Sequence, residues 1–133
     1  MYFIFGGMAQ GKLKFAVDKY KQGSEIYDLK KNSIFDVTSE NHETIINLQD
    51  GVAELLKAGL NPKDYLEKNI DKFNNKVIIG NEIGCGIVSM DAFEREWRDE
   101  TGRVYQFISA NAQIVDRVWA GLGMNLKSLN ITK

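Results

Sequence analysis

Short apolar runs alternate with amphipathic stretches along this chain, and turn residues mark nearly every exchange between them. Tyr2 to Phe5 reads as a strand that ends at Gly6. Lys12 to Gln22 follows as a helix with Phe15, Ala16 and Tyr20 on one side, capped by Gly23. Glu25 to Leu29 reads as a second strand and Ser33 to Thr38 as a candidate third. Thr44 to Leu48, rich in β-branched residues, is a stronger strand. Asp50 to Ala58 carries the helical set Val52, Leu55 and Leu56 and is closed by Gly59. Asn61-Pro62 supplies a cap and a first-position proline for a helix reaching about Phe73. Lys76 to Gly80 is a buried strand that empties into the loop Asn81 to Gly86. Ser89 or Asp91 can cap a long helix bearing Phe93, Trp97, Val104, Tyr105 and Ile108. A last strand is expected from about Arg117 to Gly121, then a short tail segment near Met124 to Lys127.

Strands alternating with helices imply a mostly parallel α/β sheet. In such sheets ligands sit beyond the carboxyl ends of the strands. Gly6 to Lys12, Gln49-Asp50 and Asn81 to Gly86 all fall at such ends, which predicts one composite site.

With 133 residues the chain is expected to form a single domain, 1–133, around one core. A formal net charge of −1 argues against a generally basic nucleic-acid surface. No apolar stretch approaches the length of a membrane span. The apolar strand at the N-terminus has no charged leader, so neither a signal peptide nor a membrane partner is expected and the cytoplasm is the expected compartment. Cys85 is the only cysteine, which excludes an internal disulfide and a thiolate zinc cluster.

The candidate chemistry begins at Gly6-Gly7-Met8-Ala9-Gln10-Gly11-Lys12-Leu13. These residues fit the phosphate-loop spacing G-x-x-x-x-G-K-[ST] up to its last position, where Leu13 replaces the hydroxyl that would hold Mg²⁺. Glycines let the backbone curl around an anion. Backbone N–H groups and a helix N-terminus then attract phosphate, and Lys12 supplies a mobile charge. The bland alternative is a glycine-rich strand-to-helix turn with an exposed lysine.

Asn81-Glu82-Ile83-Gly84-Cys85-Gly86-Ile87-Val88, together with Trp97-Arg98-Asp99-Glu100-Thr101-Gly102-Arg103-Val104-Tyr105-Gln106, adds a more specific signal. With the glycine loop and Asp116-Arg117-Val118-Trp119, these segments resemble the adenosylcobinamide kinase/adenosylcobinamide-phosphate guanylyltransferase family of cobalamin biosynthesis. The resemblance implies a three-layer P-loop (RecA-like) domain, with helices on both faces of a mostly parallel sheet, and a homo-oligomer. It implies GTP or ATP as cofactor, with Mg²⁺, and a cobinamide-type small molecule as acceptor. It also implies transfer of GMP through a covalent histidine.

The chain departs from that pattern at Leu13, and at Gln49, which stands where the family carries a metal-binding acid at a strand end. It departs again in the region after the second strand, which is shortened. His42, the only histidine, is read here as following the third strand and as a surface residue. Thr38-Ser39-Glu40 resembles a nucleotide contact, which makes Glu40 a candidate, and Leu29 to Lys31 corresponds to a nucleotide-touching loop. Glu82 reads as a polar contact to nucleotide or substrate, or as a residue that fixes its own loop. Asp50 reads as a metal ligand, or as a carboxylate at a helix N-terminus. The expectation is a nucleotide-binding protein with kinase-type transfer. The alternative is a catalytically degenerate homologue acting as a sensor or assembly partner.

Overall fold

A computed structural model describes residues 1–7, 11, 12, 14, 15, 25–40, 44–83, 91–119 and 122–128. Its centre is a six-stranded sheet in the order β2-β3-β4-β1-β5-β6. The strands are β1 (Tyr2–Gly6), β2 (Ile26–Asp28), β3 (Thr44–Ile46), β4 (Val77–Asn81), β5 (Ile114–Trp119) and β6 (Leu122–Lys127). All neighbouring pairs are parallel except β5 with β6. The described helices are α1 (Leu48–Lys57), α2 (Pro62–Lys68) and α3 (Ala92–Asn111).

Alternation along the strands divides the core into two faces. Phe3, Ile45, Ile78 and Val115 point to one side, where Val52 and Leu55 of α1, Leu66 of α2 and Val104 and Ile108 of α3 cover them. Ile4, Val77, Ile79 and Val118 point to the other, with Phe15 packed against them. Both faces of the central strands are therefore covered, as expected of a parallel α/β sheet. Lys12, Lys14 and Phe15 are helical, and the Phe15 amide donates to the Gly11 carbonyl at 3.0 Å.

Several expectations are corrected. Ser33 to Thr38 is not a strand: Ile34–Asp36 is a 3₁₀ turn. The Ser33 hydroxyl accepts from the Phe35 amide, while Glu54 of α1 accepts from both the Ser33 hydroxyl and the Ile34 amide. Those bonds satisfy the segment locally and leave it no need of a strand neighbour. In chain order His42 therefore falls between β2 and β3, not after a third strand; its own position lies outside the described residues.

The third strand also ends earlier than expected, at Ile46, and Leu48 opens α1. Asn47 adopts the left-handed conformation with φ 63°, which turns the chain straight into the helix. The expected helix to Phe73 stops at Lys68 and gives way to a 3₁₀ turn at Ile70–Lys72. Of the two caps weighed for α3, Asp91 does the work, its side chain accepting from the Glu94 amide at 2.8 Å. β5 begins at Ile114, and the tail segment is a full antiparallel edge strand, β6.

Candidate functional site

The site is rooted at the end of β1, the strand flanked by β4 and β5. Gly6 closes that strand where a side chain cannot fit: a Cβ there would stand 2.2 Å from the Val118 carbonyl oxygen on β5. From β4's side the Glu82 amide donates to the Gly6 carbonyl at 2.7 Å. Gly11 has φ 84°, a conformation that favours glycine and lets the chain enter the helical turn at Lys12.

Lys12 folds back over this turn, only 7% exposed, and its Nζ donates to the Gly7 carbonyl at 2.6 Å. Burial lowers the pKa of its ammonium, and the negative charge of Glu82 works against that shift. A phosphate entering the loop would offer this buried cation a charged acceptor in place of a neutral carbonyl, a stronger hydrogen bond.

Beside the loop root lies a cleft of about 290 Å³. Lys30, Gln49 and Asp50 line it from the β2 and β3 side; Asn81, Glu82, Ile83 and Trp97 close the other side. The two turns read from sequence as sharing a face, at Gln49-Asp50 and Asn81-Glu82, do meet here, with Lys12 close enough to feel Glu82.

Gln49 is the knot of this cleft. Its Nε2 donates to Asn47 Oδ1 at 3.2 Å and to Asp50 Oδ2 at 3.1 Å. Its Oε1 accepts from the Asn81 amide at 2.9 Å, and its backbone carbonyl accepts from Trp97 Nε1 at 2.8 Å. It therefore sits in the first turn of α1 and not at a strand end, fully engaged in joining α1, β4 and α3. Tyr105 adds a second clasp by donating to the Asn81 carbonyl at 2.6 Å. Its phenol is pushed well up, first by burial and then by Asp50 and Glu82, so it stays a neutral donor.

Asp50 has its carboxyl pKa raised, chiefly by burial, with the Lys30 charge opposing that shift. Glu82 is held by Arg117 of β5 in a two-point ion pair, Nε to Oε1 at 2.7 Å and Nη2 to Oε2 at 3.1 Å. The pair reaches from the end of β4 to β5 and so crosses the end of β1 beside the loop.

Gly6, Gly7, Lys12 and Glu82 thus stand together at the end of β1, Gly11 leads into Lys12, and Asp50 shares with Glu82 the cleft beside them. Glu40 is exposed and is not among the residues lining the cleft. Met8, Ala9, Gln10, Leu13, His42 and Cys85 lie outside the described residues. Sequence reading missed the part of Arg117, although an arginine interrupting the run Ile114 to Trp119 signals a side chain with a specific acceptor.

Among the described residues no group of three or more His, Cys, Asp or Glu gathers to hold a metal ion. Mg²⁺ on a nucleotide asks less of a protein, often one or two carboxylates besides phosphate and water. Of the two carboxylates lining the cleft, Glu82 has both oxygens on Arg117, which leaves Asp50 as the better donor. No described helix is long and apolar enough to cross a membrane.

Comparison with protein families matches residues 39–126 to the family described as cobinamide kinase / cobinamide phosphate guanyltransferase. The matched span holds β3, β4, β5, the three helices, Glu82 and Arg117, and it begins after the glycine loop. A search among curated proteins gave no match.

Proposed function

The chain belongs to the cobinamide kinase / cobinamide phosphate guanyltransferase family, and we propose that it binds GTP or ATP with the phosphates in the Gly6–Lys12 loop. The observation that carries this reading is Lys12, a buried ammonium bonded to the Gly7 carbonyl at the end of β1. Burial of a cation against a neutral acceptor suits a site that awaits an anion.

The reaction this arrangement supports best is kinase-type transfer of a terminal phosphoryl group to the hydroxyl of a cobinamide-type acceptor. Such transfer depends mainly on positioning and on neutralising phosphate charge, and Mg²⁺ when bound supplies part of that neutralisation. Lys12 would hold the outer phosphates and Lys30 would add charge from the cleft. Asp50 is the residue proposed to hold the metal.

A second reading, nucleotide binding without catalysis, is favoured by one specific feature. Gln49 is wholly taken up in structural hydrogen bonds, and Leu13 offers no hydroxyl. Calorimetry with GTP and ATP, with and without Mg²⁺, tests the common part. Binding that Lys12→Ala weakens at least tenfold is expected, and no heat with either nucleotide would end both readings. Release of labelled γ-phosphate to cobinamide separates them, since the non-catalytic reading requires none.

Guanylyl transfer stands apart, because it needs a histidine nucleophile and His42 is the sole histidine. Incubation with α-labelled GTP should leave no covalent label. A label lost in His42→Ala would restore that step to the chain.

A further inference from the structure

The far edge of the sheet carries a surface that the phosphate chemistry does not use. Trp119 on β5 is 69% exposed, and Leu122 and Met124 on β6 are 75% and 53% exposed. The antiparallel register sets Trp119 opposite Leu122 and Arg117 opposite Met124. Alternation then puts all four side chains on the face that carries Val115. On the opposite face β6 lies tight: a Cβ at Gly123 would stand 2.2 Å from the Phe15 ring, and Asn125 donates to Asp116 at 2.9 Å. Every residue of β6 is exposed, but one side of this edge rests on Phe15 and Asp116 while the other holds a pocket of about 430 Å³ lined by Arg117, Trp119 and Met124.

Three features say what that pocket takes. Its volume lies in the range of small-molecule sites, roughly 300–1,000 Å³. It stands beside the loop: Val118 pairs with Gly6, the last residue of β1, and Trp119 follows Val118 directly on β5. Its chemistry complements the first cleft, because one ion pair joins the two. Glu82 lines the charged cleft and Arg117 lines the apolar pocket. The buried Lys12 of the loop, near Glu82, and an indole, a thioether and a guanidinium plane on the Arg117 side match the two ends of a nucleotide. Flat bases stack on such groups.

We propose that the Arg117–Trp119–Met124 pocket binds the base of the nucleotide, stacked on Trp119, while its phosphates occupy the glycine loop. This rests on the loop reading given above and adds to it the site of base recognition. Glu82, by gripping two guanidinium nitrogens, fixes the plane of Arg117 at the pocket wall.

The test compares GTP with inorganic tripolyphosphate, which carries the charge and no base, by calorimetry on the full chain. Trp119→Ala should weaken GTP about tenfold or more and leave tripolyphosphate unchanged. Trp119→Phe, which keeps an aromatic face, should recover most of the GTP affinity. GTP should also quench the indole fluorescence of wild type by more than tripolyphosphate does. Unchanged GTP affinity in Trp119→Ala, with tripolyphosphate still bound, would overturn the base pocket alone. Equal losses for both ligands would overturn it too, as would a drop in sedimentation coefficient marking the face as a contact between copies. Failure of tripolyphosphate to bind wild type would remove the loop reading, and this proposal with it.

Discussion

Gln49 has every polar group of its side chain in use, and that decides what can be exchanged there. A carboxylate at this position keeps the acceptor for the Asn81 amide but replaces the donor that faces Asn47 Oδ1 and Asp50 Oδ2. Gln49→Glu should therefore lower stability by about 1–3 kcal/mol, read as a lower urea midpoint with an unchanged slope. It should not raise phosphoryl-transfer activity. The raised pKa of Asp50 makes a second test. A carboxyl whose pKa is higher in the folded state costs stability as pH rises through that value. Asp50→Asn keeps an oxygen for Gln49 Nε2 and removes the half-buried charge, so it should be more stable than wild type at neutral pH. The difference should fade as pH falls through the raised value and be gone below the ordinary aspartate value of 3.8. That Lys12 and Glu82 would stand near one another was legible from the sequence, because glycine-rich turns after parallel strands come out on one end of the sheet. The role of Gln49 was not, since it depends on Asn47 turning left-handed and starting α1 early.

Close approach of backbones governs the elements around the site. β1 meets β5 so tightly at Gly6 that a methyl group would collide with the Val118 carbonyl, which is main chain and cannot swing aside. Gly6→Ala should thus cost about 1–3 kcal/mol and open the sheet at the loop's root, reducing nucleotide affinity as well. Calorimetry and denaturant melts on the same variant check both effects. By contrast Asp91→Ala removes the α3 cap at an exposed position and should cost about 1 kcal/mol without altering affinity. Strands β1 and β4 and the cap at Asn61 follow from local chemistry, so sequence sufficed for them, although it allowed either Ser89 or Asp91 as the α3 cap. Two elements did not. Ser33 to Thr38 has the composition of a strand, but Glu54, twenty-one residues from Ser33, captures it as a turn. β6 shows the alternation Leu122, Met124, Leu126 with those side chains exposed, so its strand character comes from pairing with β5 and not from burial.

At the scale of the molecule, the sheet order sets one division of labour. Placing β1 between β4 and β5 brings Glu82 and Arg117 to either side of the loop root and puts Lys12 beside them. A ligand bound there touches three strand ends and should stabilise the whole domain by mass action. At a hundred times its dissociation constant GTP should add about 2.7 kcal/mol, raising the melting midpoint by roughly 10 °C for a domain of this size. The metal dependence of that shift carries the most information. A P-loop protein with a serine or threonine at position 13 holds Mg²⁺ through the hydroxyl, and its nucleotide affinity falls in chelator. Here Leu13 has no such oxygen, and Gln49 spends its own on the Asn81 amide. On the proposed reading affinity comes mainly from loop amides and side-chain cations, so the midpoint shift should survive EDTA nearly intact while Lys12→Ala cuts it by about half or more. A shift that vanishes in EDTA and persists in Lys12→Ala would mean that metal ligands elsewhere, Asp50 first among them, dominate binding.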